Sequence, residues 1–229
     1  MSENIEHPPE EREKFVAQAE LARAEARKAS AEAEKAEADA EVARIARDRE
    51  VYKRSREQAA DIHHHVYRFL SDVSSGSVKS CIDELVVWSR LEPGCHIEIV
   101  FQSPGGDVVA GMALWDFLEE LKRSGHRLTT IARGYAASMA GILLQAGDER
   151  AMGRESWLLI HEASFGVVGS FGEVEDRMEW VRKVQERILD IFAQRSNLSK
   201  AQIKRRWHRK DWWLDSNEAL KLGFIDEIR

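Results

Sequence analysis

The sequence predicts an α/β fold with largely parallel strands, preceded by a long N-terminal helix, and three observations carry that prediction. Residues 11–60 hold 15 alanines among many Glu, Lys and Arg, without a single Gly or Pro, which is a run of helix formers with no breaker. Beyond about residue 62, short apolar or β-branched runs alternate with stretches whose apolar residues recur at helical spacing. Turns of Gly, Ser and Pro separate them, as at Ser103-Pro104-Gly105-Gly106.

Taken in order, residues 11–60 read as one helix of about 50 residues, which at about 1.5 Å per residue is on the order of 75 Å long. Between Leu21 and Val42 its apolar side chains are alanines only, so no heptad of large residues supports a conventional coiled coil. The expectation is a solvated helical or partly disordered extension, with alanine-lined helix pairing as the other option. Residues 66–70 then read as a short strand. Residues 78–88 read as a helix with Ile82, Leu85 and Val86 on one face. The β-branched alternation of residues 95–101 predicts a half-buried strand ending at the Ser103–Gly106 turn. Asp107 suits the positive end of the helix that follows, where Val108, Met112, Trp115 and Leu118 recur down to Ser124-Gly125. Strand 128–132, helix 138–145, strand 157–161 and amphipathic helix 173–194 continue the alternation, which implies parallel strands joined by helical crossovers. The division is thus an Ala/Glu/Lys-rich extension over residues 1–62 and one α/β domain over residues 63–229.

With 43% hydrophobic residues in 229, the chain can bury one full core and carry an appendage. A net charge of −6 with 32% charged residues makes nucleic acid a poor partner. Cys81 and Cys95 are the two cysteines, too few for a disulfide framework, and free thiols fit the cytoplasm. Met1 to Glu6 has neither a basic nor an apolar region of a signal peptide, and no stretch approaches the roughly 18 apolar residues of a membrane span. Neither export nor membrane insertion is expected.

The chemistry centres on Gly134-Tyr135-Ala136-Ala137-Ser138-Met139-Ala140-Gly141, small residues between an apolar strand and an apolar helix. A serine at such a junction sits where backbone N–H groups lack partners and the helix dipole favours negative charge. Its hydroxyl can attack while the Met139 N–H holds an oxyanion; a plain serine N-cap is the structural reading of the same residues. A serine needs a base, and His161 ends the strand Trp157-Leu158-Leu159-Ile160, one strand–helix unit further on. The third member must be a carboxylate, for which Asp211, Asp215 and Asp226 all qualify by spacing. Gly105-Gly106 suits a second oxyanion donor, because glycine permits close approach of a substrate backbone.

Ser103-Pro104-Gly105-Gly106, Ala136-Ala137-Ser138-Met139-Ala140, Ile160-His161, and Asp211 ahead of Glu218-Ala219 and Gly223-Phe224-Ile225-Asp226 together resemble the ordered motifs of the Clp protease proteolytic subunit (ClpP) family. The likeness covers residues 66–229, with 32 residues from Gly106 to Ser138, 23 on to His161 and 50 on to Asp211. It implies a spiral of β-β-α units, shared with the crotonases, and a serine peptidase needing no cofactor or metal. Ser138 would be the nucleophile, His161 the base, Asp211 the orienting acid, and the N–H groups of Gly106 and Met139 the oxyanion hole. It further implies heptameric rings stacked as a tetradecamer, peptide or unfolded protein substrates, and an AAA+ unfoldase as partner. Helix 173–194 would be the handle joining the rings, and its Val174, Met178, Val181, Val184, Ile188, Ile191 and Phe192 exceed what one free face hides.

Three departures stand out: Glu162-Ala163 where the family carries Gln-Pro, Gln102 where an asparagine is frequent, and the long helix ahead of the short axial loops that meet an unfoldase. His63-His64-His65 cannot all face one metal ion in a regular element. The basic run from Lys204 to Lys210 reads as solvated surface beside Asp211, and Trp207, Trp212 and Trp213 as core or interface residues. Two other functions compete. A crotonase acting on acyl-CoA thioesters has no need of Ser, His and Asp in this order. A catalytically silent ring or scaffold subunit would bind a partner through the N-terminal helix.

Overall fold

The computed structural model describes residues 9–229, so the reading of Met1 to Glu6 lies outside the described residues. The chain divides into two compact units between Ala60 and Asp61. The first is a single helix, α1 (Pro9–Gln58). Exposed i,i+3 and i,i+4 pairs such as Arg44–Glu41 at 2.7 Å and Arg54–Glu50 at 3.3 Å run along it. Each such pair is worth only about 0.2–0.5 kcal/mol, so helix propensity of its alanines carries α1.

The second unit, Asp61–Arg229, holds a seven-stranded sheet. Its elements are β1 (Val66–Phe69), α2 (Ser75–Leu91), β2 (His96–Ser103), α3 (Val108–Arg123), β3 (Arg127–Ala137), α4 (Met139–Leu143), β4 (Glu149–Met152) and β5 (Trp157–Ile160). They are followed by α5 (Phe171–Gln194), α6 (Lys200–Trp207), β6 (Trp212–Asp215), α7 (Ser216–Leu222) and β7 (Glu227–Ile228). The strand order β1-β2-β3-β4-β7 is parallel throughout. A parallel-dominated sheet of this kind, in a chain that begins with a long helix, is the mixed α/β architecture expected from the sequence.

Local chemistry sets the helix starts. Asp107 accepts from the Ala110 N–H at 2.7 Å to open α3, and Ser74 and Ser77 cap α2 reciprocally. Asp215 accepts from the Glu218 N–H at 2.8 Å to open α7, which Gly223 ends in the left-handed conformation (φ 78°). The main core cluster joins Ile97, Ile99, Phe101, Leu114 and Leu128 to Phe192, Trp207 and Phe224, and a small second one holds Val100, Ile131 and Ala151. Burying each such side chain contributes about 1.5–3 kcal/mol.

Two departures from the sequence reading bear on the site. Strand β3 runs on to Ala137 instead of stopping near Ala132, because it changes partners midway. Thr129–Ala132 pairs with β4, whereas Tyr135–Ala137 pairs with β5, and Gly134 (φ 73°) absorbs the bend between them. Strand β2, expected to be half-buried, is central and has Ile97, Val100, Phe101 and Ser103 buried. The short elements β4, β6, β7, α6 and α7 were not marked by the sequence pattern.

Candidate active site

Parallel neighbours β3 and β5 end side by side, with Ala137 opposite Leu159 and the Ser138 N–H donating to the Leu159 carbonyl at 3.0 Å. Ser138 therefore leaves β3 at the carboxyl edge of the sheet, where α/β folds form their clefts. It is not part of a helix, as the spacing suggested. It stands before α4 with φ 53° and ψ −123°, and its side chain caps nothing. A non-glycine residue in this region costs on the order of 1–3 kcal/mol and persists where the surroundings impose it. The Gly105-Gly106 turn packs directly against it. A Cβ on Gly105 would lie 2.5 Å from the Ala137 carbonyl oxygen and 2.7 Å from the Ser138 Cβ. One on Gly106 would lie 2.3 Å from the Val73 oxygen. Val73 grips the turn from the other side, its N–H donating to the Gly105 carbonyl at 2.8 Å and its carbonyl accepting from Asp107 at 2.7 Å. Nothing in the sequence marked Val73, a lone apolar residue between Asp72 and Ser74.

That pairing leaves the N–H of Gly106 without an acceptor among the described residues, and the N–H of Met139, first in α4, is likewise unbonded. Both residues line a cavity of about 50 Å³ with Ser138 and His161, closed by Val108, Ile142, Ile160, Ala163, Ile188 and Phe192. A larger concavity between α3 and α5 holds neither Ser138 nor His161; it is open, with charges of both signs, and size does not mark the chemistry here.

Strands β5 and β6 are antiparallel, with Trp157 opposite Asp215 and Ile160 opposite Trp212. One residue further, this register sets His161 against Asp211, and the His161 Nδ1 lies 3.9 Å from the Asp211 Oδ1. That is an ion-pair distance, longer than a hydrogen bond. The Ser138 hydroxyl makes no hydrogen bond among the described residues. The side chain of His161 is 23% exposed and that of Asp211 62%. The other two carboxylates are engaged elsewhere: Asp215 caps α7, and Asp226 is paired with Arg150. Next to His161, the Glu162 Oε1 lies at hydrogen-bond distance, 3.2 Å, from the His208 Nδ1, a second link between the end of β5 and the turn before β6. Among the described residues no group of three or more His, Cys, Asp or Glu is placed to hold a metal ion. No helix among them is long and apolar enough to cross a membrane.

The Clp protease family model matches residues 48–229. The chain is 31% identical to the ATP-dependent Clp protease proteolytic subunit of Deinococcus radiodurans over 158 residues, covering 68% of this chain and 76% of that protein. It is 30% identical to proteolytic subunit 1 of Chlamydia muridarum, covering 70% and 83%. With the Bacteroides fragilis subunit the identity is 31%, covering 63% and 69%. A serine at the carboxyl edge of a parallel sheet, a histidine beside it and a match over most of the chain agree, and the chain belongs to the Clp protease family of serine-type peptidases.

Proposed function

We propose that Ser138, His161 and Asp211 form the catalytic triad of a peptidase cleaving internal peptide bonds, with Gly106 and Met139 supplying the oxyanion hole. The observation that carries this reading is the backbone of Ser138. Its positive φ turns the residue out of both strand and helix and into one cavity with His161 and two unbonded amides. In that arrangement the Ser138 Oγ attacks the substrate carbonyl and His161 takes its proton. The N–H groups of Gly106 and Met139 receive the negative oxygen, and His161 then protonates the leaving amine. Water hydrolyses the acyl-enzyme by the same steps. Asp211 holds the imidazole tautomer; a carboxylate so exposed closes the remaining distance of about 1 Å by a rotamer change.

The relatives are ATP-dependent by name, and we extend that to this chain. It would receive peptides or unfolded proteins from an AAA+ ATPase in the cytoplasm and cut them inside heptameric rings stacked as a tetradecamer. Exposed Val168, Phe171 and Trp180 around the start of α5 support burial against further copies. A fluorophosphonate probe, followed by mass spectrometry, tests the central part. Labelling at Ser138 that vanishes in Ser138→Ala and His161→Ala is expected. No labelling of a sample that light scattering shows to be assembled would transfer the reading to a silent scaffold.

A further inference from the structure

The basic run beside Asp211 has no part in the mechanism above. Residues 196–210 contain no Asp or Glu, in a chain of net charge −6. Lys204, Arg205 and Arg206 are exposed on α6, and Arg209 and Lys210 are exposed in the turn leading to Asp211. Among the described residues, Lys204, Arg205, Arg209 and Lys210 have no carboxylate partner, and the run's one ion pair is His208 with Glu162. Arg206 lies 5.1 Å from the centroid of the Trp212 ring instead. Lys200, at the other end of α6, is by contrast paired with Asp190 and Glu186. The helix dipole accounts for cations in the last turn of α6, but Arg209 and Lys210 lie beyond it.

The run is held where it is. Trp207 is wholly buried, Arg209 takes a left-handed conformation (φ 54°), and the Lys210 N–H donates to the Trp207 carbonyl at 3.1 Å. With about 3.8 Å between successive Cα atoms, the backbones of Arg209 and Lys210 start within about 8 Å of Asp211. Both are exposed there, and so adjoin the candidate acid in the chain.

We propose that this basic rim binds carboxylate side chains of the substrate, so that the site prefers acidic peptides to neutral or basic ones. The inference rests on the peptidase reading and names its substrate class. Unneutralised cations beside a cleft raise the local concentration of anionic ligands, and because they are exposed, salt weakens the effect.

The test uses the full chain and three fluorogenic peptides sharing one apolar core, flanked by Glu, Ala or Lys. At about 50 mM salt the Glu peptide is expected to exceed the Lys peptide about tenfold in kcat/KM, and the gap should close near 0.5 M. The triple variant Lys204→Glu, Arg205→Glu, Lys210→Glu should reverse the ranking while cleaving the Ala peptide as before. Equal rates for all three peptides at low salt would overturn the subsite. Fluorescence anisotropy with Ser138→Ala reads binding apart from turnover. Salt-sensitive binding of the Glu peptide by a protein whose parent cleaves nothing would keep the rim and overturn the peptidase reading. Tighter binding of a single-stranded RNA of equal charge would overturn the rim as a peptide site.

Discussion

Replacing Asp226 by Ala should destabilise the domain while sparing the chemistry. The Arg150 side chain is 7% exposed, against 45% for Asp226. Its Nε and Nη2 donate to the two Asp226 carboxylate oxygens at 3.0 and 2.6 Å, and its backbone N–H adds a third bond at 2.9 Å. Its Nη1 donates to Gln145 Oε1 and to the Arg195 carbonyl. Truncating Asp226 strands the buried guanidinium with neutral acceptors only. Breaking a fully buried pair costs about 3–5 kcal/mol; because water reaches the Asp226 side, we expect about 2–3 kcal/mol. For a domain of this size that is a fall in Tm of about 4–12 °C. Burial pushes the Asp226 carboxyl pKa up, but the hydrogen bonds and charge of Arg150 outweigh it and hold the pKa below the ordinary carboxylate value. A depressed folded pKa gives stability that is present above about pH 4 and is lost as pH falls through the folded value. The deficit of Asp226→Ala against the parent should therefore be full at pH 7 and shrink in strong acid. Thermal melts from pH 2.5 to 7, with activity at 25 °C, read both. A Tm within 1 °C of the parent, or lost activity at unchanged Tm, would refute the structural assignment of Asp226 and return it to the catalytic candidates.

Gly105→Ala puts a methyl 2.5 Å from the Ala137 oxygen and 2.7 Å from the Met139 nitrogen. Steady-state kinetics should show kcat/KM down at least about 100-fold with the circular dichroism retained, since misplacement by about 1 Å costs that much. Trp207→Ala empties the volume of a wholly buried indole under the turn that carries Asp211. Urea unfolding should register about 3–5 kcal/mol. Glu162→Gln keeps an acceptor for His208, whose exposed pair is worth no more than about 1 kcal/mol. Its melt should match the parent within about 3 °C.

The long elements were legible because their patterns run over many residues. The helix read over residues 11–60 occupies Pro9–Gln58, and the one read over 173–194 occupies Phe171–Gln194. The four-residue strand β4 begins with Glu149 and Arg150 and so lacks the apolar run that marks the equally short β5, and β6 mixes Trp212 and Trp213 with the end of a basic run. Of the site, Ser138, His161 and the Gly105-Gly106 turn were legible from their junctions. Spacing alone left Asp211, Asp215 and Asp226 open and only the family likeness pointed to Asp211; the β5–β6 register, which puts Asp211 nearest His161, and the engagement of the other two elsewhere are not visible in the sequence. Val73 was silent for a related reason: its role is a backbone pairing that no side-chain pattern encodes.

Turnover of an internally quenched peptide by Ser138→Ala, beside the parent and in the same assembled state, tests the triad most directly. A loss of about four orders of magnitude is expected, leaving only what the oxyanion amides and binding supply. Turnover near that of the parent would contradict it and remove Ser138 as the nucleophile.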